Sequence, residues 1–344
     1  MPSSICRPHR NARGVVACLL AAALLLSVGC SDPVEEESPA SWKVIKQGLD
    51  GALLSIFIDA GGEVWLAGAH RKDKGPTLMH RGADGAWQTL EPGGKGDLWW
   101  VFSRKAGEVW AVGGGGRVLR HDSTTGAFVE LATETTATLY GIWGAAEGPL
   151  WAVGGFVFDA QEPGVLLRIS GEKVESVPLP PEVKPNESLF KVWGSAADDV
   201  WVIGDKGSTL HFDGSAWTYN KLEGGPRLVT VHGGSKDDVV VVGGAMNGQI
   251  FERKADAKWT PVVLDGLSGL NGVYVRPDGN AAAAGMGGVV LKRSGGAWTD
   301  LPFPETDADW HATWMEADGS IWVAGGNLGS ISAMDDGAVL RYGK

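Results

Sequence analysis

Residues 200–218 read VWVIGDKGSTLHFDGSAWT: an apolar run closed by glycine, a tight turn, a second run, and an Asp-Gly turn before a tryptophan. The first of these pieces recurs along the chain as EVWLAG, EVWAVG, PLWAVG, DVWVIG, DVVVVG, NAAAAG and SIWVAG. The copies end at Gly68, Gly113, Gly154, Gly204, Gly243, Gly285 and Gly325, spaced 45, 41, 50, 39, 42 and 40 residues apart. A period of that length is one four-stranded propeller blade.

A second register runs eight residues ahead of the tryptophan-type position. It holds Phe57, Phe102, Trp143, Trp193, His232, Tyr274 and Trp314. Four residues earlier stand Leu53, Leu98, Leu139, Leu189, Leu228, Leu270 and Trp310. This short apolar run reads as a strand buried on both faces, the innermost strand A of each blade. The VWxxG run is strand B. Strand C is RVLRHD, STLHFD, QIFERK, VVLKRS and AVLRYG, and strand D opens at Trp87, Phe128, Val174, Trp217, Trp259 and Trp298.

The last copy stops at strand C, and its missing strand D is present at the other end as Ser41-Trp42-Lys43-Val44-Ile45. Trp42 lies 11 residues before Leu53, the spacing that Trp87, Phe128, Trp217 and Trp259 keep to their own leucines. The expected fold is therefore all-β: one seven-bladed propeller over residues 42–344, its last blade closed by the N-terminal strand, which leaves no open edge. Trp42 is expected to behave as a large buried aromatic, and the closed ring as a monomer.

The chain resembles the Asp-box (BNR-like) propellers, including the photosystem II assembly-factor-like group. FDGSAW (212–217), GADGAW (82–87) and RSGGAW (293–298) keep the Gly and Trp of that box and shorten the rest. The pairs Gly113-Gly114, Gly154-Gly155, Gly243-Gly244 and Gly325-Gly326 make kelch repeats the second resemblance. Either one implies a fold more than a function, because propellers host enzymes, lectins, scaffolds and assembly factors.

The ends of the chain carry an address. Residues 1–14 contain Arg7, Arg10 and Arg13 and no acid, and residues 15–29, VVACLLAAALLLSVG, are apolar and shorter than a membrane span. Leu26-Ser27-Val28-Gly29-Cys30 resembles a bacterial lipobox, with Ser27 in place of the usual Leu. The resemblance implies a signal peptide over 1–29, acylation of Cys30, and a tether over 30–41 that is acidic in SDPVEEESPAS. A plain signal peptide and an uncleaved anchor are the alternatives. Ser31 is not the Asp that holds many such lipoproteins in the inner membrane, so the expected place is the outer membrane, on its periplasmic side or at the surface. Cleavage removes Cys6 and Cys18 along with three arginines, changing the net charge from −11 to −14. So acidic a chain is no nucleic-acid binder, since phosphates need a basic footprint.

Glycine, 52 of 344 residues, is about twice as frequent as usual, and the chain holds 16 tryptophans. Thirteen of the tryptophans keep the blade period and are expected to pack blade against blade. Trp99, Trp100 and Trp310 fall outside it. Trp100 stands where other copies have Ser55, Gly141, Lys191, Thr230, Gly272 and Ala312, and Trp310 replaces a leucine beside His311. These three tryptophans and His311 are candidate ligand contacts.

His80, His121 and His211 read as surface strand C positions, and His232 as a hydrogen-bonded core histidine. No metal-ligand spacing, nucleophile motif or phosphate loop occurs, so no catalytic residue, metal or cofactor is expected. The acidic A–B turns, such as Asp198-Asp199, Asp237-Asp238, Asp278 and Asp318, read as turn formers.

Antiparallel order puts all A–B turns on one face and the B–C and D–A connections on the other. The A–B turns are uniform. The other face carries AHRKDKGP (69–76), GFVFDAQEPG (155–164), GNLGSISAMDDG (326–337) and LPPEVKPNE (179–187), and loops on a rigid scaffold are where recognition resides. Phe156 and Phe158 are its apolar anchors, and Lys72, Lys74 and Lys184 its positive points. A membrane-anchored protein-binding or assembly platform is the first functional reading. A glycan-binding lectin-like propeller is the second, and a glycan hydrolase or lyase the third.

Overall fold

The computed structural model describes residues 39–344 except 72–73, 158, 160, 223, 304–305, 307 and 330–333. Cys30 and the signal and tether readings lie outside the described residues, apart from the tether's last three positions. Seven antiparallel sheets of four strands each follow one another along the chain. The A strands are Leu53–Ile58, Leu98–Lys105, Thr138–Gly144, Leu189–Ala196, Leu228–Ser235, Leu270–Val275 and Asp309–Met315. Each packs on its neighbours, and the first packs on the last, so the inner strands close a ring.

The closing strand runs Ser41–Leu49, longer than the sequence suggested, and pairs antiparallel with Asp335–Gly343. Trp42 faces Tyr342 and Val44 faces Leu340, with register shifts on either side of Lys46. Trp42 is only half-buried, because a strand D is the outermost of its blade. It still ties blades 6 and 7 together. Its indole N–H donates to Pro302 O at 2.9 Å and its ring meets Phe303 at 4.5 Å.

The periodic tryptophans interlock the blades. Trp65, Trp110, Trp151, Trp201 and Trp322 are buried on strand B and pack against the strand D residue of the following blade. Trp151 meets Trp217 at 5.1 Å and Trp201 meets Trp259 at 5.4 Å, both edge to face. His80 and His211 correct the surface reading of strand C: both are half-buried and stack on Trp65 and Trp201 at 4.0 and 4.2 Å.

Blade 5 has Val240 where a tryptophan would stand, and the side chain of Arg293 is buried between blades 5 and 6. Its guanidinium bonds Glu252 Oε1 at 2.8 Å, Gly279 O at 2.9 Å and the Asp238 carboxylate.

Toward the A–B face the second register forms a closed aromatic belt around the axis. Trp314 touches Phe57 and Tyr274, His232 touches Tyr274 and Trp193, and Trp143 bridges the clusters of Phe102 and Trp193. The glycine ending every strand B is required by space. A Cβ on Gly68, Gly113, Gly154, Gly204, Gly243, Gly285 or Gly325 would meet a backbone oxygen at 1.9–2.2 Å.

Candidate functional site

Opposite each of those glycines the A strand slips its register by one residue. The skipped residues are Leu54, Trp99, Tyr140, Phe190, Val229, Asn271 and His311, one per blade. A β-bulge re-aims the extra side chain. Here all seven line one cavity of about 300 Å3 on the face of the B–C and D–A loops. Strands A and B repeat around the ring, whereas the bulged position holds a different residue in every blade.

Trp99, Tyr140 and Phe190 build an aromatic wall, with ring centroids 5.0 Å and 5.2 Å apart. His311 meets Trp99 at 5.7 Å. Polar side chains of neighbouring blades reach the carbonyls at the bulges. His311 Nδ1 lies 2.6 Å from Leu54 O, Lys191 Nζ donates to Tyr140 O at 2.9 Å, and Thr230 Oγ1 to Asn271 O at 2.6 Å. The contact to a carbonyl puts the His311 proton on Nδ1.

Lys191 occupies the position after the bulge in blade 4 and is 2% exposed. Its ammonium sits 3.6 Å from the Trp100 ring centroid. Among the described residues no carboxylate pairs with it. Gly141 makes room for its stem: a Cβ there would stand 3.3 Å from Lys191 Cδ. Burial holds the Lys191 amine well below its ordinary range. Burial, then the Lys191 charge, pull His311 down to about 3. Burial alone does the same to His232, whose Nδ1 accepts the Val275 N–H. Burial pushes the Tyr140 phenol up to about 12.

Two imidazoles held neutral in the fold make stability pH-dependent. The folded values lie below the ordinary 6.5, so the unfolded chain binds more protons between about pH 3 and 6.5. The contribution of the two imidazoles is full above 6.5 and falls as pH drops through that window. The slope is on the order of 1 kcal/mol per pH unit for each group. Melting curves at pH 7 and 5 check this: the midpoint should fall, and fall less in His232→Phe.

Trp99 and His311 thus stand in the cavity wall, and Trp100 one residue deeper beneath Lys191. Trp310 does not join them. It is 1% exposed, packs on Phe303 at 5.2 Å, and lies at a separate hollow beside Trp42. Phe156 is half-buried and lines an adjoining hollow of about 350 Å3 together with Asp97, Trp99 and Tyr140. Lys74 and Lys184 are exposed and outside the cavity, Lys74 with its Nζ 3.2 Å from Asp50 Oδ2. Phe158 and Lys72 lie outside the described residues.

Tyr140, Phe190 and Lys191 are site residues that sequence reasoning missed. The signal was the residue after each periodic leucine, which is different in every copy. Asp278 and Asp318, like Asp59, each accept a backbone N–H two residues on. Asp199 and Asp238 correct the turn-former reading: both begin a strand B and bond side chains instead, Asp199 with His211 and Asp238 with Arg293. Among the described residues no group of three His, Cys, Asp or Glu is placed to hold a metal ion.

No family model matches the chain, and no curated protein does. Solved structures do. Streptogramin B lyase aligns with a TM-score of 0.68 at 12% identity, covering 88% of this chain and 98% of that one. YCF48 from Cyanidioschyzon merolae gives 0.65 at 14%, covering 88% and 99%. The WD40 propeller domain of Doa1 gives 0.65 at 11%, covering 89% and 97%. The likeness is one of fold.

Proposed function

We propose that this chain is a lipid-anchored extracytoplasmic propeller that acts as a protein-binding or assembly platform through the face that carries the cavity. The observation that carries the reading is the asymmetry of the bulged ring. The blades share one packing pattern, broken only at Val174, Val240, Ala282 and Trp310, whereas the position aimed into the channel mouth is different in all seven, as suits a single asymmetric partner. Two exposed methionines lie on the same face, Met246 at 86% and Met286 at 37%, and adaptable apolar side chains of this kind serve protein contacts. A lectin with one sugar site per blade would need repeated surface aromatics, whereas the repeated strand B tryptophans are buried between blades.

The lipid anchor rests on the resemblance of residues 26–30 to a lipobox. Ser41 pairs with Gly343, at the end of the last blade away from the long 326–337 loop, so the first strand of the propeller begins on the A–B face. The worn Asp-boxes act as turns in this reading: Asp213 accepts the N–H groups of Ala216 and Ser215, which hold its carboxyl down at about 2.

Two measurements test the proposal. Fatty-acid label should enter the wild type and be absent from Cys30→Ser, and equal labelling would remove the anchor. Trp99→Ala with Phe156→Ala should cut capture of a partner from solubilised membranes at least tenfold while the melting point stays within a few degrees. Unchanged capture would show that another face binds.

A further inference from the structure

The cavity's chemistry narrows what it accepts. Lys191 lines it, with its Nζ over the Trp100 ring, and the residues Val157, Ala245, Met286, Leu328 and Met334 line it on the side of the loops. At about 300 Å3 it lies at the small end of ligand sites, sized for one compact group. Its wall of Trp99, Tyr140 and Phe190 presents ring edges and faces to a flat apolar guest.

The charges around it are unequal in how they are met. Arg227, at the rim, has its Nε on Asp205 Oδ1 at 2.7 Å. Asp309, also at the rim, accepts the Gly287 N–H at 2.8 Å. His311, with its proton given to Leu54, adds no charge. Lys191 alone is buried without a carboxylate, holding one carbonyl and the face of an indole. An amine with three donors and one hydrogen-bond acceptor is under-partnered, and leaving a cation so in an apolar site is costly. An anionic group arriving from the mouth would complete it.

We propose that the cavity binds a compact aromatic carboxylate, its ring among Trp99, Tyr140 and Phe190 and its carboxylate on Lys191 Nζ. A free small acid and the C-terminal residue of a partner polypeptide both present this chemistry. The proposal rests on the reading of this face as the binding face; a partner that lies only on the rim would survive its failure.

The test is titration of the full chain, by tryptophan fluorescence and calorimetry, with N-acetyl-phenylalanine and with its amide. The acid should bind at least tenfold more tightly than the amide, and Lys191→Met should remove the difference. Should that variant fail to fold, Trp99→Ala, at a half-buried position, should weaken the acid at least tenfold with little change in melting. A decapeptide ending in phenylalanine, with a free or amidated end, separates the sources. Binding of the free-ended peptide marks a polypeptide terminus, and binding of the small acid alone marks a metabolite-sized ligand. Equal affinity for acid and amide, or no binding of either up to about 10 mM, overturns the proposal.

Discussion

A chain that begins at Asp50 should melt far below the full propeller and should self-associate. Without Ser41–Leu49 the strand Asp335–Gly343 becomes an open edge, and an unpaired edge is a template for pairing with another chain. The loss also uncovers the apolar faces that Trp42 covers in blades 6 and 7 and that Ile45 and Leu49 cover in blades 7 and 1. Burial of three such side chains, at roughly 1.5–3 kcal/mol each when complete, makes a loss on the order of 5 kcal/mol the expected scale. Trp42→Ala alone should cost about 2–3 kcal/mol, below the full range for a buried aromatic, because the ring is half-exposed. Calorimetry and sedimentation velocity check both. A truncated chain that melts with the intact one and stays monodisperse would mean that the ring does not depend on this strand.

Arg293→Ala should be the most damaging single substitution away from the closing strand, costing about 3–5 kcal/mol. The side chain, 1% exposed, is the buried one of two cations that the Asp238 and Glu252 carboxylates share in the blade 5–6 seam. Lys254 reaches the same two acids from the solvent side, at 46% exposure, and cannot replace the buried fork. Removing the guanidinium leaves the two partly buried acids to Lys254 and the Trp298 indole N–H, frees the Gly279 carbonyl and opens a void in the seam. Arg293→Lys should recover little, since the three acceptors are met by three separate nitrogens of a planar fork, and one ammonium nitrogen cannot stand in all three places. Denaturant unfolding of both variants measures the effect; a loss under about 1 kcal/mol would show that blade 5–6 packing is carried by Trp298 alone.

The propeller was legible because its physics is periodic. A strand B that must end in a glycine too crowded for a Cβ, and a strand D that must present an aromatic to the blade before it, write themselves into every copy. Ring closure was legible for the same reason, from the distance of Trp42 to Leu53. The site was not, because a bulge changes where a residue points without changing what the residue is. Nothing in Leu189-Phe190-Lys191 announces that Phe190 turns into the channel. Lys191 was hidden more deeply. A lysine in an apolar run reads as an exit to solvent, and only Gly141 in the neighbouring blade opens the space in which it is buried. Arg293 carried no sign of burial in its strand C copy VVLKRS, because the Glu252 and Asp238 carboxylates that hold it come from the neighbouring blade, 41 and 55 residues away in sequence. Trp99 and His311 were found for a partial reason: they broke the period, but the period they broke was not recognised as the bulge.

The claim that the cavity face is the working face can be tested in place. A photo-crosslinking side chain at Val157 or Ala245, on the rim, would report contact there, and the same group at the exposed Ala197 would report the A–B face. Irradiation of intact cells should yield a discrete crosslinked species from the two rim positions and none from Ala197. Crosslinks from Ala197 with silence at the rim would place the partner on the opposite face and contradict the account.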